Sequence, residues 1–275
     1  MPALEKKWTD QIITRNNVKV IGEGTQTMLF AHGFGCDQNM WRYVIPAFEN
    51  DYRIVLFDYV GAGKSDRSAY VQSRYSTLNG YADDVLDICK ALNLKNIIFI
   101  GHSVSSMIGV LAANRQPELF SDLIFIGPSP RYINDEGYVG GFEQKDIAGL
   151  LDTMDKNYIG WANFLGPAIM KNPDRPELAE ELTASFCSTD PKIARRFAEV
   201  TFFADNRADL IEIRVPSLIM QCSDDLIAPL EVGEYLAKNI PLSTLKVMKA
   251  TGHCPHMSSP EETIDVINEY LKKNG

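Results

Sequence analysis

Short apolar runs alternate with longer stretches of helical periodicity along most of this chain. Thr27–Ala31, Arg53–Phe57, Asn96–Ile100, Asp122–Ile126, Ser217–Gln221 and Thr244–Met248 are rich in Ile, Val, Leu, Phe and Met and are bounded by Gly, Pro or Asp. Runs of that length and composition predict strands buried on both faces. Between them, Gln38–Phe48, Leu78–Leu92, Val104–Asn114, Leu230–Lys238 and Pro260–Lys272 read as helices. In the last, Ile264, Ile267 and Leu271 share one face, Ser259 serves as N-cap and Pro260 takes the first helical position. Strand–helix alternation predicts right-handed crossovers and a mostly parallel central sheet with helices on both faces. Gln11–Thr14 and Asn17–Ile21 are expected to add an antiparallel hairpin at one edge.

The rhythm breaks between Pro128 and Asp205. Only helical periodicities occur there: Phe142–Lys156, Tyr158–Met170, Pro176–Phe186 and Pro191–Phe203. An all-helical insertion between two strands predicts a four-helix lid, residues 128–205, over a core made of residues 1–127 and 206–275. The lid would cover the C-terminal edge of the sheet, where ligands sit in open α/β folds.

Charge narrows the partners. With 27 basic and 36 acidic residues the net charge is −9, and no Lys/Arg run exceeds two residues. Nucleic acid and anionic membrane both reward clustered positive charge, so neither is expected. The five cysteines are scattered without a CxxC pair, which predicts buried free thiols rather than disulfides or a metal site. No cofactor motif stands out. Gly61-Ala62-Gly63-Lys64-Ser65 resembles the end of a phosphate-binding loop, but Asp58 stands where that motif needs its first Gly. The N-terminus lacks the apolar stretch of a signal peptide, and no uncharged apolar run is long enough for a bilayer, so a cytoplasmic protein is expected.

Gly101-His102-Ser103-Val104-Ser105 directly follows one predicted strand and opens a helix. By itself the pentapeptide also fits a serine that merely caps the helix. Its setting selects the nucleophile elbow, a tight turn that projects a Ser hydroxyl above the sheet. Ser105 departs from the final Gly of that pattern. A Ser hydroxyl needs a base, and His253, directly after Gly252 in the loop behind the last strand, fits that role. His256 reads as a structural loop histidine bonded to backbone. The acid that orients the imidazole should end an intervening strand, where Asp224 and Asp225 compete. The D-x-x-x-P spacing to Pro229 selects Asp225 and leaves Asp224 as a solvated turn residue. The oxyanion needs two donors: the Val104 N–H after the nucleophile, and the Phe34 N–H in His32-Gly33-Phe34-Gly35.

Aromatic residues crowd the inserted segment, most of them expected to pack lid against sheet. Phe34, Phe142, Trp161, Phe164 and Phe203 are the candidates for the substrate wall. No Lys or Arg clusters beside the three motifs, so a small, largely apolar ester or lactone is the expected substrate.

His32 to Gln38, Phe57 to Gly61, Gly101 to Val104 and Gly252 to Met257, with Tyr158 to Trp161 and Phe186 to Pro191, together resemble the RsbQ group of bacterial α/β hydrolases. That group is similar to the plant karrikin and strigolactone receptors. The resemblance runs from about Ile13 to the C-terminus; Ser105 and a longer N-terminus depart from it. It implies an α/β-hydrolase fold, a four-helix lid over an apolar pocket, and hydrolysis that serves stress signalling. It also implies a PAS-domain phosphatase as partner in activating a general-stress sigma factor. A stand-alone metabolic esterase or lactonase, and a ligand receptor with little turnover, are the competing expectations.

Overall fold

A computed structural model describes residues 3–274; Met1, Pro2 and Gly275, counted above with the core, lie outside the described residues. In chain order the elements are α1 (Ala3–Arg15), β1 (Lys19–Ile21), β2 (Thr27–Ala31), β3 (Arg53–Leu56), α2 (Leu78–Ala91), β4 (Ile97–His102), α3 (Val104–Arg115) and β5 (Phe120–Ile126). Four helices follow: α4 (Gln144–Lys156), α5 (Tyr158–Met170), α6 (Pro176–Ser188) and α7 (Pro191–Phe202). The chain then returns through β6 (Ser217–Asp224), α8 (Leu230–Asn239), β7 (Ser243–Thr251), α9 (Pro255–Ser258) and α10 (Pro260–Asn274).

The seven strands lie in the order β1-β3-β2-β4-β5-β6-β7, all parallel except β1, which runs antiparallel to β3. β2 and β4 are fully buried, as their uninterrupted apolar sequences require. The strand order reverses between them: β3 lies beyond β2, β5 beyond β4. The loops leaving β2 and β4 therefore flank the crevice where open α/β sheets hold their ligands.

Two expected elements differ. Gln11–Thr14 belongs to helix α1, so the sheet edge is the single strand β1 and not a hairpin. The β-branched pair Ile12-Ile13 reads as strand, yet only Ile12 is buried while Ile13 is partly covered, as on one side of a helix. Gln38–Phe48 forms two 3₁₀ turns, Gln38–Trp41 and Ile45–Ala47, because Asp37 caps the first and Pro46 begins a new turn.

The Asp58 carboxylate accepts the backbone N–H groups of Gln38 and Lys64, each at 2.9 Å, and the Asn17 amide at 2.7 Å. The Lys64 amide of the Gly61–Ser65 turn is thus already bound to a carboxylate. Of the cysteines, all free, four are buried as expected; Cys187 on α6 is exposed. Among the described residues, no helix is long and apolar enough to cross a membrane.

Candidate active site

β4 ends at His102 and α3 begins at Val104, so Ser103 alone turns the chain. It does so with φ 57° and ψ −123°, a region that costs a non-glycine residue roughly 1–3 kcal/mol. Its N–H is held by the Ile126 carbonyl at 2.8 Å. Gly101 makes the turn possible: a Cβ there would stand 2.8 Å from the Phe99 ring and from the Ser105 backbone. Ser105 keeps the elbow tight because its own side chain turns away, toward the His32 carbonyl.

His253 Nε2 lies 2.7 Å from Ser103 Oγ, and His253 Nδ1 lies 2.6 Å from Asp225 Oδ2. All three residues are buried. The second Asp225 oxygen accepts the N–H groups of Ile227 (2.8 Å) and Ala228 (3.3 Å), which fix the carboxylate. A carboxylate can only accept, so Nδ1 carries the imidazole proton and Nε2 turns its lone pair to the Ser103 hydroxyl. The arrangement can take a proton from Ser103 and stabilise the resulting imidazolium. Asp224 points elsewhere: its side chain is largely exposed and pairs with Lys171 Nζ at 2.5 Å.

Val104, the first residue of α3, has an N–H without an intrahelical acceptor at the positive end of the helix dipole. Phe34 leaves β2 on the facing loop. Its ring sits among Trp161, Phe186, Phe197 and Phe202, with centroids 5.6–6.2 Å away.

Ser103 and His253 open into a cavity walled by Phe34, Ile169, Leu182, Phe186 and Phe202. Its free room is about 30 Å³, space for roughly two waters. Depressions of about 500–660 Å³ occur on the surface, but none of those is lined by a member of the Ser103 group. No Lys or Arg lines the small cavity. Arg131 pairs with Asp205 at 3.0 Å, and Lys145 is exposed.

The profile described as Alpha/beta hydrolase family matches residues 28–266. The chain belongs to that family. It is 39% identical over 257 residues to a karrikin insensitive 2 receptor of Petunia hybrida, covering 93% of this chain and 95% of the relative. It is likewise 39% identical over 251 residues to a strigolactone esterase of Pisum sativum, covering 90% and 94%. Among solved structures, a hydrolase from Oleispira antarctica superposes with a TM-score of 0.94 at 46% identity, covering 96% and 97%.

In this α/β hydrolase, four of the five expected wall residues lie off the cavity. Phe164 is 71% exposed on the outer side of α5, whose inward positions are Trp161, Leu165 and Ile169. Phe203 is 41% exposed, one residue past Phe202, which takes the inward position. Phe142 bonds the Tyr132–Asn134 backbone, at 2.8 and 3.1 Å, ahead of α4. Trp161 is buried one layer back, against Tyr158, Phe186 and Phe34. Phe34 alone of the five lines the cavity.

The residue missed is Tyr132. Its buried hydroxyl stands 3.4 Å from Ser103 Oγ, and burial raises its pKa, keeping the proton in place. Nothing in its spacing separates it from the other aromatics; its position just after β5 was the usable signal.

Two histidines stand behind the base. His102 Nε2 donates to the His253 carbonyl at 2.8 Å. His256 is not bonded to backbone as expected: both ring nitrogens lack a partner, and the ring packs on Trp41 and His102. Donor atoms of His102, Cys254 and His256 lie within 4.8 Å of one another. Nε2 of His102 is engaged by the His253 carbonyl, whereas its Nδ1 has no hydrogen-bond partner.

Proposed function

We propose that this chain is a serine hydrolase of small, neutral, largely apolar esters or lactones. Ser103 Oγ attacks the acyl carbon as its proton passes to His253 Nε2, while Asp225 stabilises the imidazolium. The N–H groups of Val104 and Phe34 receive the oxyanion. The imidazolium then protonates the leaving oxygen, and water repeats the sequence to release the acid. The four inserted helices act as a lid, and Tyr132 faces the reacting atoms.

One observation carries this reading: the Ser103–His253–Asp225 relay, at 2.7 and 2.6 Å, opens into a cavity that no Lys or Arg lines. Burying an unpaired carboxylate there would cost several kcal/mol. Comparing kcat/KM for a short neutral ester and its matched dicarboxylate half-ester tests the reading. The neutral ester is expected to win by at least about tenfold; equal values would overturn the substrate class.

The receptor name of the Petunia hybrida relative favours a second reading, a receptor with slow turnover. A stoichiometric burst of product followed by slow release would select it. Through its resemblance to the RsbQ group, the proposal extends to a cytoplasmic role in stress signalling with a PAS-domain phosphatase, testable by co-purification.

A further inference from the structure

Ser105, the departure from the elbow pattern, is fully buried, and its hydroxyl is engaged twice. Oγ donates to the His32 carbonyl at 2.5 Å. A carbonyl can only accept, so the Ser105 hydrogen is committed there. The Tyr59 hydroxyl, 3.0 Å from the same Oγ, must therefore be the donor of that second bond. The Tyr59 N–H donates to His32 Nε2 at 3.2 Å, which leaves the His32 proton on Nδ1. Burial lowers the His32 pKa, so the ring stays neutral. Nδ1–H then donates to the Gly33 carbonyl at 2.8 Å.

That last bond, together with the Cys36 N–H donating to the same carbonyl at 3.3 Å, fixes a direction. The Gly33 carbonyl and the Phe34 N–H share one peptide plane and point in opposite directions across it. Holding the carbonyl aims the N–H. Ser105 also sits one residue past Val104, whose N–H is the other proposed donor. One buried hydroxyl thus links the two halves of the hole, one from α3 and one from the loop after β2.

We infer that Ser105, oriented by Tyr59, is a positioning residue that braces the Phe34 side of the oxyanion hole. The inference rests on the hydrolase reading above. A glycine at position 105 would close the same elbow without this brace.

Ser105→Ala and Ser105→Gly should lower kcat for a neutral ester about ten- to hundredfold, less than the 10²–10³ lost when a donor itself is removed. KM should stay within about twofold. Sulfur is larger and a poorer acceptor than oxygen, so the wild type should discriminate strongly against the matching thionoester. The variants should lose much of that preference, which packing defects alone would not change. Tyr59→Phe should show a smaller loss, and the double variant Tyr59→Phe/Ser105→Ala should be no worse than Ser105→Ala. Should Ser105→Ala fail to fold, reduced ester/thionoester discrimination in Tyr59→Phe supports the brace, and unchanged kcat and discrimination overturn it. A wild type that turns over the ester through Ser103, beside a Ser105→Ala of equal kcat and discrimination, overturns the brace alone. A wild type without turnover overturns both readings.

Discussion

The backbone N–H of His253 donates to the carbonyl oxygen of Ile169 at 2.9 Å. Ile169 lies in the last turn of α5, so the loop carrying the proposed base is tied to the inserted helices. Asn172 and Arg175 extend the tie, donating to the carbonyls of Thr251 (3.2 Å) and Ser258 (2.7 Å). Gly252 permits this approach: its φ is +81°, and a Cβ would stand 2.2 Å from the Met170 carbonyl oxygen. Gly252→Ala must strain the backbone, by roughly 1–3 kcal/mol, and displace α5 or His253. A Tm lower by several degrees and kcat lower by at least about tenfold are expected, measured by thermal unfolding and ester hydrolysis. Normal kcat would show that the tie does not set the base.

Adjacent carboxylates allow a sharp comparison. Asp225→Asn should favour the wrong imidazole tautomer and lower kcat by roughly 10³–10⁴. Asp224→Asn breaks only a partly exposed pair with Lys171, which contributes about 0–1 kcal/mol, so activity should stay within a few-fold. Steady-state kinetics on the two variants decides. Greater sensitivity at Asp224 would reverse the assignment.

The central strands beneath this site were legible because burial on both faces leaves short, uniformly apolar runs, as in Met28–Phe30 and Ile97–Ile100; the edge strand β7, expected to be buried likewise, is mostly exposed over Thr244–Met248. Ser103, Asp225 and His253 were legible because each follows a strand end with its own local spacing. The cavity wall was not. Phe202 and Phe203 are neighbours of identical chemistry, and only the rotation of α7 about its own axis decides which one faces Ser103. The same holds for Phe164, whose aromatic character says nothing about which side of α5 turns inward. Tyr132 depends on the path of an irregular loop, which periodicity does not reach.

Burial pushes His256 down to about 3, the neighbouring His253 adding to the effect, and also lowers His102 and His32. Unfolded, each titrates near 6.5. Because the folded values lie below that, the unfolded chain binds the extra protons, and acid favours unfolding. This stability is complete above about pH 6.5 and is lost as pH falls toward the folded values, at up to roughly 1.4 kcal/mol per pH unit per histidine. The Tm should therefore fall by several degrees between pH 7 and pH 5. His256→Phe, which keeps a ring against Trp41, should show a smaller fall. An equal fall would assign the acid sensitivity to other groups.

Everything proposed above depends on Ser103 being a nucleophile activated by His253 and Asp225. Intact mass spectrometry after treatment with a fluorophosphonate tests it most directly. The wild type should gain one phosphonyl adduct per chain, mapping to Ser103, and Ser103→Ala should gain none. Equal labelling of Ser103→Ala, or an adduct that maps to another residue, would contradict the account.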